Sequence, residues 1–182
     1  IRHYTEGWAN GFRHKIAHWE IWNEADLNPD ASKSMTWQAP FSEYCRLYEV
    51  TARHLKAVFP HIKVGGPASC GLYGADNPMA RGQIKYHYDC IVEFLDYVKA
   101  HDLPLDFFTF HSYASAAATM KHIAASRKLL DERGLTRCET SLNEWLNPHR
   151  HEDLGTVHQA SGIAAMLVGM RNSALDTACI YD

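Results

Sequence analysis

Hydrophobic positions along this chain follow two rhythms in turn. Residues 16–22, 62–65, 107–110 and 177–181 are short, nearly all-apolar runs, with a weaker one at 137–142. Such runs predict strands buried on both faces, as in a parallel sheet. The stretches between them repeat at 3.6 residues instead. Phe41, Tyr44, Cys45, Tyr48, Thr51, Ala52, Leu55, Val58 and Phe59 form one apolar stripe, and Ile84, His87, Tyr88, Ile91, Leu95 and Val98 form a second. Weaker helical patterns cover 116–133, stopped by Gly134 in a C-cap position, and 154–171. The long loops are expected at 28–38 and 69–82. Four strand–helix units and a closing strand, joined by right-handed crossovers, predict parallel and sequentially adjacent strands in one domain spanning 1–182.

Composition changes this picture little. With 182 residues, 46% hydrophobic and 21% charged, the chain is long enough for one sizeable core. A net charge of -3 with scattered basic residues gives no electrostatic reason to expect nucleic acid or an anionic membrane as partner. No apolar run reaches the roughly 18 residues that a membrane-spanning helix needs. The five cysteines are odd in number and lack CxxC spacing, which predicts small buried hydrophobes rather than a disulfide framework or a zinc ribbon. The chain opens on Ile1 rather than Met and stops just after an apolar strand, so it is expected to be a segment of something longer. The lack of a signal-like N-terminus therefore leaves cytoplasmic and secreted locations both open.

Two parallel architectures fit this element order, the doubly wound sheet and the eight-stranded barrel. In both, functional groups gather at the C-terminal ends of strands. No GxGxxG turn marks a dinucleotide site. Asn23 and Glu24 end the first strand, Gly66 and Pro67 follow the second, and His111 and Tyr113 follow the third. Asn143 and Glu144 end the fourth, and Tyr181 and Asp182 the last. The two Asn-Glu pairs lie 120 residues apart and have tryptophans beside them. A carboxylate at the mouth of a buried strand is costly unless paired, so two of them beside amides and indoles point to a site for uncharged polyhydroxylated rings, that is, sugars. Strict alternation would turn adjacent Asn23 and Glu24 to opposite faces, so an irregular strand end is expected near Asn23. His111 and Tyr113, two apart, share a face without any such device.

Trp19-Glu20-Ile21-Trp22-Asn23-Glu24, Val64-Gly65-Gly66-Pro67, Phe110-His111-Ser112-Tyr113 and Asn143-Glu144-Trp145 together resemble strands four to seven of the retaining glycosidases with a (β/α)8 barrel. Within that clan the chain is similar to glycoside hydrolase family 39, the group of β-xylosidases and α-L-iduronidases, over nearly its whole length. The resemblance implies a partial (β/α)8 barrel, strands four to eight with the intervening helices, in which residues around 2–10 end helix three. It implies Glu24 as general acid/base and Glu144 as nucleophile. It also implies that Asn23 hydrogen-bonds the sugar 2-hydroxyl, that His111 and Tyr113 line the floor with the tyrosine hydroxyl near Glu144, and that no cofactor or metal is needed. Trp22 and Trp145, beside the carboxylates, are candidates for sugar contact. Two positions depart from the family pattern: Ala25 stands where proline is usual, and Asn143 where a small residue or threonine is common. A full barrel takes about 250 residues, so strands one to three are expected to lie outside this chain.

Retaining hydrolysis needs two carboxyl groups about 5 to 5.5 Å apart, one ionised and one protonated. An apolar wall from Trp22 is expected to keep Glu24 protonated toward neutral pH, and the Tyr113 hydroxyl to keep Glu144 charged. Other residues have structural readings. Glu20 is expected as a buried carboxylate paired with an arginine, Trp8, Trp19 and Trp37 as packing residues, and His149, His151, Glu152 and Asp153 as a solvated loop rather than metal ligands. Two other function classes fit the composition: a non-catalytic carbohydrate-binding barrel, and a metal-dependent barrel hydrolase drawing on the twelve histidines.

Overall fold

Each apolar run becomes a strand and each 3.6-residue stripe a helix laid on the sheet. In the computed structural model, which describes residues 1–75, 77–147 and 150–181, the strands are β1 (His18–Glu20), β2 (Lys63–Ser69), β3 (Phe107–Ser112), β4 (Glu139–Trp145) and β5 (Thr177–Ile180). They lie side by side in chain order, every pair parallel. A short α1 (Arg2–Thr5) precedes them, and α2 (Phe41–Val58), α3 (Gly82–Ala100), α4 (Ala116–Glu132) and α5 (Val157–Arg171) form the crossovers. The result is half of a (β/α)8 barrel, curled with its helices outside.

The core lies between the convex face of the sheet and these helices. Val64, Phe108, Phe110 and Leu142 point into it from the strands and meet Tyr44, Tyr48, Phe94, Leu95, Ile123 and Leu130. Their alternate neighbours His18, Glu20, Phe107, Thr109, Glu139, Ser141, Asn143, Thr177 and Cys179 line a hollow on the concave side. Gly65 is needed there, because a Cβ would lie 2.3 Å from the Phe107 carbonyl oxygen and 2.5 Å from its ring. At the N-terminal end, Glu139 is hydrogen-bonded to His18 at 3.1 Å and forms an ion pair with Lys63.

Two Leu-Asp turns set the register. Asp106, just before β3, accepts from the Val64 N–H and the Lys56 ammonium, both at 2.9 Å. Asp176, just before β5, accepts from the Thr140 N–H at 2.7 Å. Each carboxylate thus ties the start of one strand to its neighbour, and a one-residue slip would break the bond.

The helices fall within a few residues of the sequence expectation, and Gly134 caps α4 with φ +78° and its N–H bonded to the Asp131 carbonyl at 3.0 Å. The strands differ more. β1 stops at Glu20 because Trp22 and Glu24 take left-handed backbone angles. β2, β3 and β4 run further than the apolar residues do, since the ladder continues through Gly66, Ser112 and Trp145. Residues 2–10 hold one helical turn followed by Gly7, Ala9 and Asn10 at positive φ. Among the described residues no helix is long and apolar enough to cross a membrane.

Candidate active site

Irregular backbone at three strand ends brings the polar residues together. After β1, Trp22 has φ +70° and Glu24 φ +49°, which fits the irregularity expected near Asn23. Such angles cost roughly 1–3 kcal/mol for a non-glycine residue and persist only when neighbours hold them. Here the Glu24 N–H donates to the Ala68 carbonyl at 3.0 Å, the Thr36 hydroxyl to the Glu24 carbonyl at 2.6 Å, and the Tyr44 hydroxyl to the Ile21 carbonyl at 3.0 Å. In β2 the pairing jumps from Gly66–Phe108 to Ser69–Phe110, with Ala68 at φ +50°. In β4, Phe110 pairs with Leu142 and His111 with Glu144, so Asn143 is an extra residue. That bulge turns both Asn143 and Glu144 to the concave side.

Three of the candidate groups converge. One carboxylate oxygen each from Glu24 and Glu144, and Nδ1 of His111, all lie within 4.8 Å of one another. His111 Nδ1 is 2.9 Å from Glu24 Oε1 and 3.6 Å from Glu144 Oε1, and the residue is only 1% exposed. The Tyr113 hydroxyl donates to Glu144, and the Tyr113 N–H donates to the Tyr73 hydroxyl at 2.9 Å. Burial, and then the Glu144 carboxylate, push the Tyr113 phenol far above its ordinary value, so it remains a donor.

Glu24 behaves differently from the sequence expectation. Burial alone would raise its carboxyl, but the hydrogen bond and charge of His111, with the Cys70 thiol adding to them, hold it below the usual carboxylate range. The Trp22 indole itself is engaged elsewhere, donating to the Thr36 carbonyl at 3.0 Å and meeting Trp37 edge-on at 5.6 Å.

Asn23 sits exposed at the rim, bordering a depression with Trp22, Met35 and Thr36, and half of Trp22 is open to solvent. Trp145 corrects its expectation. The bulge at Asn143 puts it on the convex side, 2% exposed in the core, with no ring face turned to the cleft. Among the described residues no arginine pairs with Glu20; both its oxygens accept from the Asn143 amide, at 3.0 and 2.8 Å, and Thr109 hydrogen-bonds it as well. Trp19 and Trp37 pack against the core as expected, whereas Trp8 is exposed. Four cysteines are buried and Cys179 is exposed, on the open concave side. His149 and Asp182 lie outside the described residues; Glu152 is exposed and pairs with Arg150 at 3.8 Å, as in a solvated loop.

Sequence reasoning missed Asp26. It is 1% exposed and accepts from the Ser69 hydroxyl at 2.6 Å and the Cys70 N–H at 3.1 Å, bracing the segment after Glu24 against the end of β2. Burial, against these bonds, raises its carboxyl. No periodicity marks such a residue. Among the described residues, Glu24, His111 and Glu144 are the group of three whose donor atoms stand close enough to hold a metal ion.

A curled parallel sheet with helices outside and acids at the C-terminal strand ends is the make-up of a (β/α)8-barrel enzyme, present here in part. The family model of glycosyl hydrolases family 39 matches residues 2–141, and the chain belongs to that family. It is 39% identical over 105 residues to a β-xylosidase of Geobacillus stearothermophilus, covering 56% of this chain and 16% of the relative. It is 28% identical over 109 residues to a β-xylosidase of Caldicellulosiruptor saccharolyticus, covering 58% and 18%. Among solved structures, a glucosidase from Croceicoccus marinus superposes with a TM-score of 0.73 at 28% identity, over 98% of this chain and 35% of that one. A family 39 β-xylosidase from Caulobacter crescentus gives 0.63 at 25%, over 90% and 32%. The chain therefore spans under a fifth of the length of these curated relatives.

Proposed function

We propose that this chain carries the catalytic half of a retaining glycosidase acting on β-xylosides by double displacement. The observation that carries the reading is the closeness of Glu24 and Glu144, with carboxylate oxygens inside 4.8 Å of each other. Retaining enzymes hold these groups about 5 to 5.5 Å apart, while inverting enzymes leave about 6.5 to 9.5 Å for a water. The β-xylosidases among the relatives support the choice of glycone.

In this mechanism Glu144, oriented by the Tyr113 hydroxyl, attacks the anomeric carbon. The glycosidic C–O bond breaks and Glu24 gives its proton to the leaving oxygen. A water then attacks the anomeric carbon of the glycosyl ester, Glu24 takes that water's proton, and Glu144 is freed. In this reading Asn23 hydrogen-bonds the 2-hydroxyl and Trp22 contacts the sugar, roles that the exposure of both side chains supports.

The test is hydrolysis of aryl xylosides, arabinosides, glucosides and iduronides by the full-length protein. Glu144→Ala should abolish turnover, and azide should partly restore it with formation of a glycosyl azide. A Glu144→Ala variant that keeps the parental rate removes the nucleophile assignment. The convergence of Glu24, His111 and Glu144 also supports a second reading, metal-assisted hydrolysis. Activity that disappears on dialysis against EDTA and returns with zinc would favour it; the double-displacement reading expects EDTA to leave the rate unchanged.

A further inference from the structure

Beneath the proposed reacting groups lies a contact that the mechanism does not use. Asn143 Nδ2 donates to both oxygens of Glu20, at 3.0 and 2.8 Å. Glu20 ends β1 and Asn143 sits in β4, and these strands are not neighbours, since β2 and β3 stand between them. The bond therefore crosses the concave side of the sheet like a chord. Thr109 of β3 lines the same hollow, one layer below His111.

Asn143 is also the extra residue of the β4 bulge. A bulge is free to move unless something pins it, and a shift of one residue would turn Glu144 toward the helices. Glu144 follows Asn143 directly in the chain, so whatever holds the Asn143 side chain on the concave side also fixes where Glu144 emerges. The Asn143 Oδ1 atom is buried with no partner among the described residues, which leaves Glu20 as the group that orients this amide.

We propose that Glu20 and Asn143 form a cross-barrel clamp whose role is to position Glu144, with neither residue touching the sugar. The proposal rests on the glycosidase reading for its kinetic consequence, and on geometry alone for its structural one. Glu20→Gln is the informative conservative change. The oxygen of the new amide still accepts from Asn143 Nδ2, and a rotation of the two amides that takes the NH2 off Nδ2 lets it donate to the orphaned Oδ1, so the clamp survives in neutral form.

The experiment measures kcat and KM on an aryl β-xyloside for Glu20→Ala, Asn143→Ala and Glu20→Gln in the full-length enzyme, with crystal structures of the two alanine variants. Misplacing a reacting group by about 1 Å costs on the order of 100-fold. Both alanine variants should thus lose about 10- to 100-fold in kcat with KM within about threefold, and Glu20→Gln should stay within about threefold of the parent. Their structures should show the Glu144 carboxylate withdrawn from the Tyr113 hydroxyl. Alanine variants that keep the parental kcat overturn the proposal, as does a Glu20→Gln variant as impaired as Glu20→Ala. So does an unmoved Glu144 in both structures, whatever the kinetics. A parent protein that cleaves no glycoside would sink the glycosidase reading, and the crystallographic comparison would then decide the clamp by itself. If Asn143→Ala does not fold, Glu20→Ala leaves β4 intact and serves alone.

Discussion

At the scale of single residues, His111 is the group on which the acid pair turns. Its Nδ1 faces both carboxylates, and its hydrogen bond and charge, with the Cys70 thiol and His87, hold the Glu24 carboxyl low against burial. A group whose folded value lies below its ordinary 4.5 adds stability above that value, and this is lost as pH falls through the folded one. For catalysis the sign works the other way: the proposed acid must be protonated, so a low Glu24 value confines activity to acid pH and sets the alkaline limb of kcat/KM. Replacing His111 with Asn removes the charge while burial remains. The alkaline limb should then move to higher pH as the maximal rate falls. A pH–rate profile whose alkaline limb stays put would show that His111 does not control Glu24.

At the scale of elements, strand irregularity is the device that builds the site. Three strands leave regular geometry at their C-terminal ends, and the departures after β1 and in β4 go with the arrival of Glu24 and Glu144 at one cleft. Adjacent residues cannot share a face of a regular strand, and this holds for Asn143 and Glu144 as it does for Asn23 and Glu24. It reaches Trp145 as well, which parity sends into the core once Asn143 is counted as extra. Below the bulges the sheet is tightly specified. Gly65→Ala would push a methyl against the Phe107 carbonyl and ring, and should destabilise the fold by about 1–3 kcal/mol, read as a lower urea midpoint with an unchanged slope. An unchanged midpoint would mean that β2 and β3 are looser than their packing implies.

At the scale of the whole molecule, half a barrel leaves surface uncovered. Among the described residues β1 and β5 each have one unpaired edge, all four residues of β5 are exposed, and α5 turns Val157, Leu167 and Val168 outward. Open parallel edges beside apolar helix surface favour association. The isolated 182-residue chain is expected to self-associate with rising concentration in sedimentation velocity and to bind a hydrophobic dye. A monodisperse monomer at high concentration would show that these surfaces are better protected than their exposure implies.

Element order, the parallel sheet and the strand-end position of every proposed reacting group are legible in the chain alone. These follow from hydrophobic period and chain order, which are local properties that each segment carries alone. It also marked Glu24, Glu144, His111 and Tyr113 as candidates, through two Asn-Glu pairs and one His-x-Tyr. Which groups oppose one another was settled by folding: His111 beside Glu24, Asn143 rather than an arginine on Glu20, Asp26 behind the cleft, and Trp145 in the core. Such partnerships depend on register and bulge position across strands far apart in the chain, and one inserted residue reverses the face of all that follow it.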